Sequence, residues 1–169
     1  NKVGRYYEEG WGNVTKNEAE AVVWYRKAAD QGEVLGQYNL AKCLIYGWGC
    51  EVNEAEAYEW YRKAAEQGHA EAQNMVGRYY SEGWGNVTKN ETKAVVWYRK
   101  AADQGNKYAQ NNLGICLYNG RGCTANKAEA YEWYRKAAEQ GYAYAQDNLG
   151  NCLYNGQGCD VNKKEAVEW

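Results

Sequence analysis

The chain repeats itself. The string from Asn1 to Gln73 returns with few changes from Asn74 to Gln146, and each half divides again. The resulting units are 1–37, 38–73, 74–110, 111–146 and a shorter 147–169. A unit this small cannot bury an apolar face alone, so neighbouring copies have to stack and share one core. The first and third units form one type, A, and the others a second, B. Both run through a Val-Gly, Leu-Ala or Leu-Gly pair, a Gly-x-Gly, an Asn and a Trp; the complete units continue with Tyr-Arg-Lys-Ala-Ala and Gln-Gly.

Each unit reads as two helices separated by glycine. Ala57, Trp60, Tyr61, Ala64 and Ala65 recur at three- and four-residue spacing, which gathers them on one helical face. Asn17, Asn53, Asn90, Asn126 and Asn162 each stand seven residues before their Trp, where an Asn side chain caps free backbone amides. Glu20, Glu56, Glu129 and Glu165 follow three residues later, the spacing of a capping box. Gly32, Gly68, Gly105 and Gly141 close the second helices. The first helices end at pairs such as Gly47/Gly49 and Gly120/Gly122, and small residues at Ala41, Gly77 and Gly114 let neighbouring helices approach. With no proline in the chain, the turns depend on Gly and Asn. The expected fold is a single array, all-α, of antiparallel helix pairs.

Aliphatic residues are scarce, but 17 Tyr and 8 Trp supply large buriable surfaces, so the core is expected to be aromatic and alanine-lined. A net charge of −2 in 169 residues does not suit a nucleic-acid binder, since no Lys/Arg cluster stands clear of acidic neighbours. No run approaches the 18 or so apolar residues of a membrane span. The opening residues lack the basic and apolar segments of a signal peptide, which leaves the compartment open. The chain opens in mid-pattern at Asn1 and stops at Trp169 within a helical motif, as a piece of something longer does.

The stretch Leu113-Gly114, Gly120-Arg121-Gly122, Asn126, Ala130 and Trp133-Tyr134-Arg135-Lys136-Ala137-Ala138-Glu139-Gln140-Gly141 closely resembles the Sel-one-like repeat, a relative of the tetratricopeptide repeat. The resemblance covers the whole chain. It implies an all-α right-handed superhelix, an α-solenoid of about four and a half repeats, and a scaffold or adaptor that binds other proteins without catalysis or a cofactor. Two departures stand out. The family has an apolar residue where type B units carry Cys50, Cys123 and Cys159, and type A units carry one extra residue, Asn13 or Asn86.

All six cysteines fall in type B units, as Cys43/Cys50, Cys116/Cys123 and Cys152/Cys159, each pair seven positions apart. An even count at one repeated spacing suggests three local disulfides. Where the first unit lacks the pair it has Tyr6 and Val14, so both members are lost together. Closing so short a loop contributes about 2.5 kcal/mol in the chain-entropy model. Free cysteines acting as small buried hydrophobes are the plainer alternative; a metal site fits worst, because the spacing is not that of zinc ligands. Disulfides would point to an extracellular, secretory or periplasmic space. Asn13-Val14-Thr15, Asn86-Val87-Thr88 and Asn90-Glu91-Thr92 satisfy the N-glycan acceptor pattern, and the residue inserted in type A units is itself the acceptor Asn. Asn90 is also an expected helix cap.

Catalysis has little to draw on: His69 is the only histidine and Ser81 the only serine, and His69 follows a helix-ending glycine in what reads as an exposed turn. Three functions remain. The first is an extracellular or periplasmic scaffold holding a peptide or protein through first-helix positions outside the core, namely Asn39, Lys42, Asn112, Ile115, Asn148 and Asn151. The second is a structural subunit that self-associates end to end into a fibre, since neither end resembles a polar capping repeat. The third, an intracellular or host-directed adaptor, accords least with paired cysteines.

Overall fold

The computed structural model describes residues 2–10 and 15–169; Asn13 and Val14 lie outside the described residues. The helices are α1 (Lys2–Glu9), α2 (Glu18–Asp30), α3 (Val34–Tyr46), α4 (Glu54–Glu66), α5 (Ala70–Glu82), α6 (Glu91–Asp103), α7 (Lys107–Asn119), α8 (Lys127–Glu139), α9 (Ala143–Asn155) and α10 (Lys163–Glu168). Among the described residues there is no strand. The chain divides into two units, residues 1–89 and 90–169. In the first, consecutive helices from α1 to α5 pack against one another, and in the second those from α6 to α10 do the same.

The asparagine caps form as expected. The side-chain oxygens of Asn17, Asn53, Asn90, Asn126 and Asn162 accept from the backbone N–H three residues on, at 2.9–3.2 Å. The capping box does not. A box requires the Asn backbone N–H to reach the following Glu, but that N–H is already committed to the preceding helix: Asn53 donates to the Leu44 carbonyl at 2.9 Å, and Asn126 and Asn162 donate to Leu117 and Leu153 at 2.8 Å. The freed carboxylates of Glu20, Glu56 and Glu129 instead accept the indole N–H of Trp24, Trp60 and Trp133, each at 3.2 Å. Glu56 also takes Arg26 at 2.6 Å, and Glu129 takes Arg99 at 2.8 Å, tying successive second helices together within each unit.

The core is tyrosine on alanine. Tyr25, Tyr61 and Tyr79 are fully buried beside Ala21, Ala57, Ala64 and Ala72, while Leu40, Leu113 and Leu149 hold the corresponding places of the first helices. The aromatic bulk is admitted by glycine. At Gly114 a Cβ would meet the Tyr134 ring at 2.6 Å, so α7 can lie on α8 only without one. Gly49, Gly85, Gly122 and Gly158, each the second glycine of a Gly-x-Gly, have φ > 0 and also press on backbone; at Gly85 a Cβ would stand 2.7 Å from the Glu54 carbonyl oxygen. His69 is not the exposed turn residue expected: its side chain is 14% exposed. Its ring packs against Tyr38 in a tilted arrangement with centroids 4.5 Å apart, and Nδ1 accepts the Ala72 N–H as the cap of α5.

Candidate functional site

In the second unit the first helices α7 and α9 border a groove of about 480 Å³. Ile115, Asn148 and Asn151, three of the six expected surface positions, line it together with Tyr118, Asn119, Asn155 and Gln157. Buried Tyr134 and Cys152 also line it. No charged residue contributes to it. Asn148 donates through Nδ2 to Oδ1 of buried Asn111 at 3.0 Å, which fixes the amide's orientation. Asn119 and Asn155 donate to the carbonyls of Ile115 and Asn151 at 2.9 and 3.0 Å, and the Tyr118 hydroxyl donates to Gln157. These amides are therefore held in place before any ligand arrives, with acceptor oxygens left for backbone N–H groups. Asn112 is half-buried next to Asn111 on α7 and does not line the groove. Asn39 and Lys42 belong to the first unit, half-buried on α3.

Tyr118, Asn119, Asn155 and Gln157 were not among the expected positions. The recurrence of Tyr-Asn before the turn, at Tyr118-Asn119 and Tyr154-Asn155, is the sequence signal for three of them. Gln157 sits between turn glycines and has no such signal, because it joins the groove only through Tyr118 of the preceding repeat.

The six cysteines carry free thiols, not the three disulfides expected. Cys43, Cys116 and Cys152 are buried and Cys50, Cys123 and Cys159 half-buried. Within each pair the two thiols lie near enough to feel each other's charge, in the order the seven-residue spacing implies. Burial first, then nearby Glu8 and Cys50, pushes the Cys43 thiol up to about 12. Burial and the partner thiol raise Cys116 and Cys152 to about 11. Such thiols are poor nucleophiles at neutral pH. Among the described residues no group of three or more His, Cys, Asp or Glu side chains is placed to hold a metal ion, and no helix is long and apolar enough to cross a membrane.

Of the sequons, Asn86 is exposed in the turn after α5 with φ 68, the left-handed region that Asn tolerates. The Asn90 oxygen is engaged as the α6 cap.

The family model described as the Sel1 repeat matches the chain over residues 1–33, 34–69, 70–106, 107–142 and 143–169. A Sel1 repeat protein from Oxalobacter formigenes is similar at 38% identity and a TM-score of 0.93, over 100% of this chain and 66% of that one. A protective antigen present in uropathogenic Escherichia coli strains, displaying an SLR fold, is similar at 38% identity and a TM-score of 0.90, over 98% of this chain and 35% of that one. Helicobacter pylori cysteine rich protein B is more distant, at 26% identity and a TM-score of 0.59 over 79% of this chain and 97% of that one. The chain thus spans about a third of the Escherichia coli protein and just under two thirds of the Oxalobacter one. No curated protein matches it.

Proposed function

The chain belongs to the Sel1 repeat family, an all-α solenoid class, and from that premise we propose that it is a non-enzymatic scaffold holding a peptide or protein partner in the amide groove of its second unit. The groove carries this reading. An extended polypeptide offers a row of N–H and C=O groups, and a wall of pre-oriented carboxamides beside the apolar surface of Ile115 and the tyrosines matches it whatever the partner's side chains. Side-chain amides neither titrate nor attack, so the same wall is ill suited to acid–base or nucleophilic chemistry.

The compartment in this reading is extracellular, secretory or periplasmic. The three recurring cysteine pairs of the type B units support it, since paired cysteines in a chain of this size accompany oxidising spaces. The Escherichia coli relative is a protective antigen, which agrees with such a location. In a eukaryotic secretory pathway, the exposed turn at Asn86 is a better glycan acceptor than Asn90.

Peptides selected against the full chain from a random display library, then titrated against the Asn148→Ala/Asn151→Ala double variant, test the groove. Losing two amide contacts is expected to weaken binding about tenfold or more. Unchanged affinity for every selected peptide would refute this placement.

A further inference from the structure

The first unit carries a different chemistry at the positions equivalent to the amide groove. The residue after the small helix-contact position, and the residue between the turn glycines, are a cation and a tryptophan: Lys42 with Trp48, then Arg78 with Trp84. The Lys42 ammonium lies 5.2 Å from the Trp48 ring centre and 5.9 Å from that of Tyr38, and the Arg78 guanidinium lies 4.7 Å from Trp84. The rings form one run, with Tyr38–Tyr61 at 5.8 Å, Tyr61–Tyr79 at 6.2 Å and Tyr79–Trp84 at 5.8 Å. Two cations are thus set one repeat apart along a single aromatic track.

Neither cation has a carboxylate partner among the described residues. Arg78 contacts the Met75 sulfur at 3.9 Å; Glu82, one turn on, accepts from Ser81, and Glu71 faces His69. The cations are not a by-product of a basic chain, whose net charge is −2. Nor does the fold require them. The equivalent positions of α7 and α9 are Ile115 with Arg121 and Asn151 with Gln157, and those helices form equally well. A cation resting on aromatic faces is positioned in advance yet keeps its outward field, the arrangement that favours an incoming anion at small entropic cost. Beside it Tyr46 and Trp48 stack at 4.7 Å and are 57% and 37% exposed, a surface for the stems of long acidic side chains.

We infer that this face of the first unit receives an acidic stretch of a partner polypeptide, with carboxylates at Lys42 and Arg78. The inference rests on the scaffold reading and deepens it by naming the partner's chemistry. Fluorescence anisotropy of the full chain with labelled polyglutamate, and with polyglutamine of equal length, tests it. Polyglutamate is expected to bind more tightly than polyglutamine and to weaken as salt rises. Lys42→Gln and Arg78→Gln should each cost roughly three- to fivefold in affinity, while Lys136→Gln, which removes a lysine from the Trp133 ring of α8, should cost nothing. Far-UV circular dichroism of each variant checks that the helices persist. Equal binding of the two peptides, an unchanged Lys42→Gln/Arg78→Gln double variant, or an equal loss with Lys136→Gln overturns the acidic assignment. If polyglutamine then still binds and responds to Asn148→Ala/Asn151→Ala, the amide groove stands without it; if neither peptide binds, the acidic assignment also falls, and the groove is judged by its own display-selected peptides.

Discussion

Two glycines in the first unit separate the cost of backbone conformation from the cost of space. Gly68 and Gly85 both have positive φ, 94° and 55°. A Cβ on Gly68 would meet nothing within 4 Å, whereas one on Gly85 would stand 2.7 Å from the Glu54 carbonyl oxygen and 3.1 Å from Cε1 of Tyr79. That carbonyl accepts the hydroxyl of Tyr79, a fully buried side chain, at 3.1 Å. Gly68→Ala therefore bears only the left-handed penalty, about 1 kcal/mol. Gly85→Ala bears the same penalty, about 1–2 kcal/mol of overpacking, and part of a hydrogen bond worth about 1 kcal/mol. The sum is about 3 kcal/mol. With a urea dependence of about 2 kcal/mol per molar, the midpoint should fall by about 0.5 M for Gly68→Ala and about 1.5 M for Gly85→Ala. Far-UV circular dichroism during urea titration reads both. Equal shifts would show that the turn yields freely and that contact with Glu54 does not fix the Gly-x-Gly segment.

Three further outcomes follow from the geometry. Burial lowers the pKa of His69, against a smaller opposing effect of Glu71, and its cap needs the neutral ring; the unfolded chain therefore takes up the proton first as pH falls below about 6.5, and stability declines with it. His69→Asn, which copies the Asn106 cap of α7, should remove that decline, and urea midpoints at pH 7 and pH 5 decide it. In reduced protein, alkylation at pH 8 followed by peptide mass mapping should label Cys50, Cys123 and Cys159 before Cys43, Cys116 and Cys152; the reverse order would contradict the placement of the buried thiols. A double-mutant cycle on Arg26 and Glu56 should give a coupling of no more than about 1 kcal/mol, because both side chains are about a third or more exposed and solvent screens them. A coupling several times larger would mean that the pair is far drier than its exposure indicates.

What could be read from the sequence was what repeats locally. The helix pairs, the asparagine caps and the glycine turns each depend on residues within a few positions, so spacing alone exposes them. The capping box failed for a reason that spacing cannot carry: the Asn53 backbone N–H is taken by Leu44, on the helix before. His69 was misjudged in the same way, because Tyr38, the ring that shelters it, lies 31 positions earlier. The groove was half legible. Helical periodicity singled out Ile115, Asn148 and Asn151 as outside the core, but the bond between Tyr118 and Gln157 joins adjacent repeats. The cation and tryptophan pairs stood in the sequence throughout, at a constant offset, and only the ring distances give them meaning.

The backbone bond that displaced the capping box also governs where the chain tolerates change. In type B units the asparagine N–H reaches a carbonyl nine positions back, as Asn53 does to Leu44; in the first unit Asn17 reaches Tyr7, ten positions back, at the same 2.9 Å. One more residue in the connection thus leaves the junction between the helices untouched. Chain length there is uncoupled from helix register, and the connection between the two helices of a repeat is where evolution or an engineer can lengthen it, hang a tag or graft a loop without disturbing the stack.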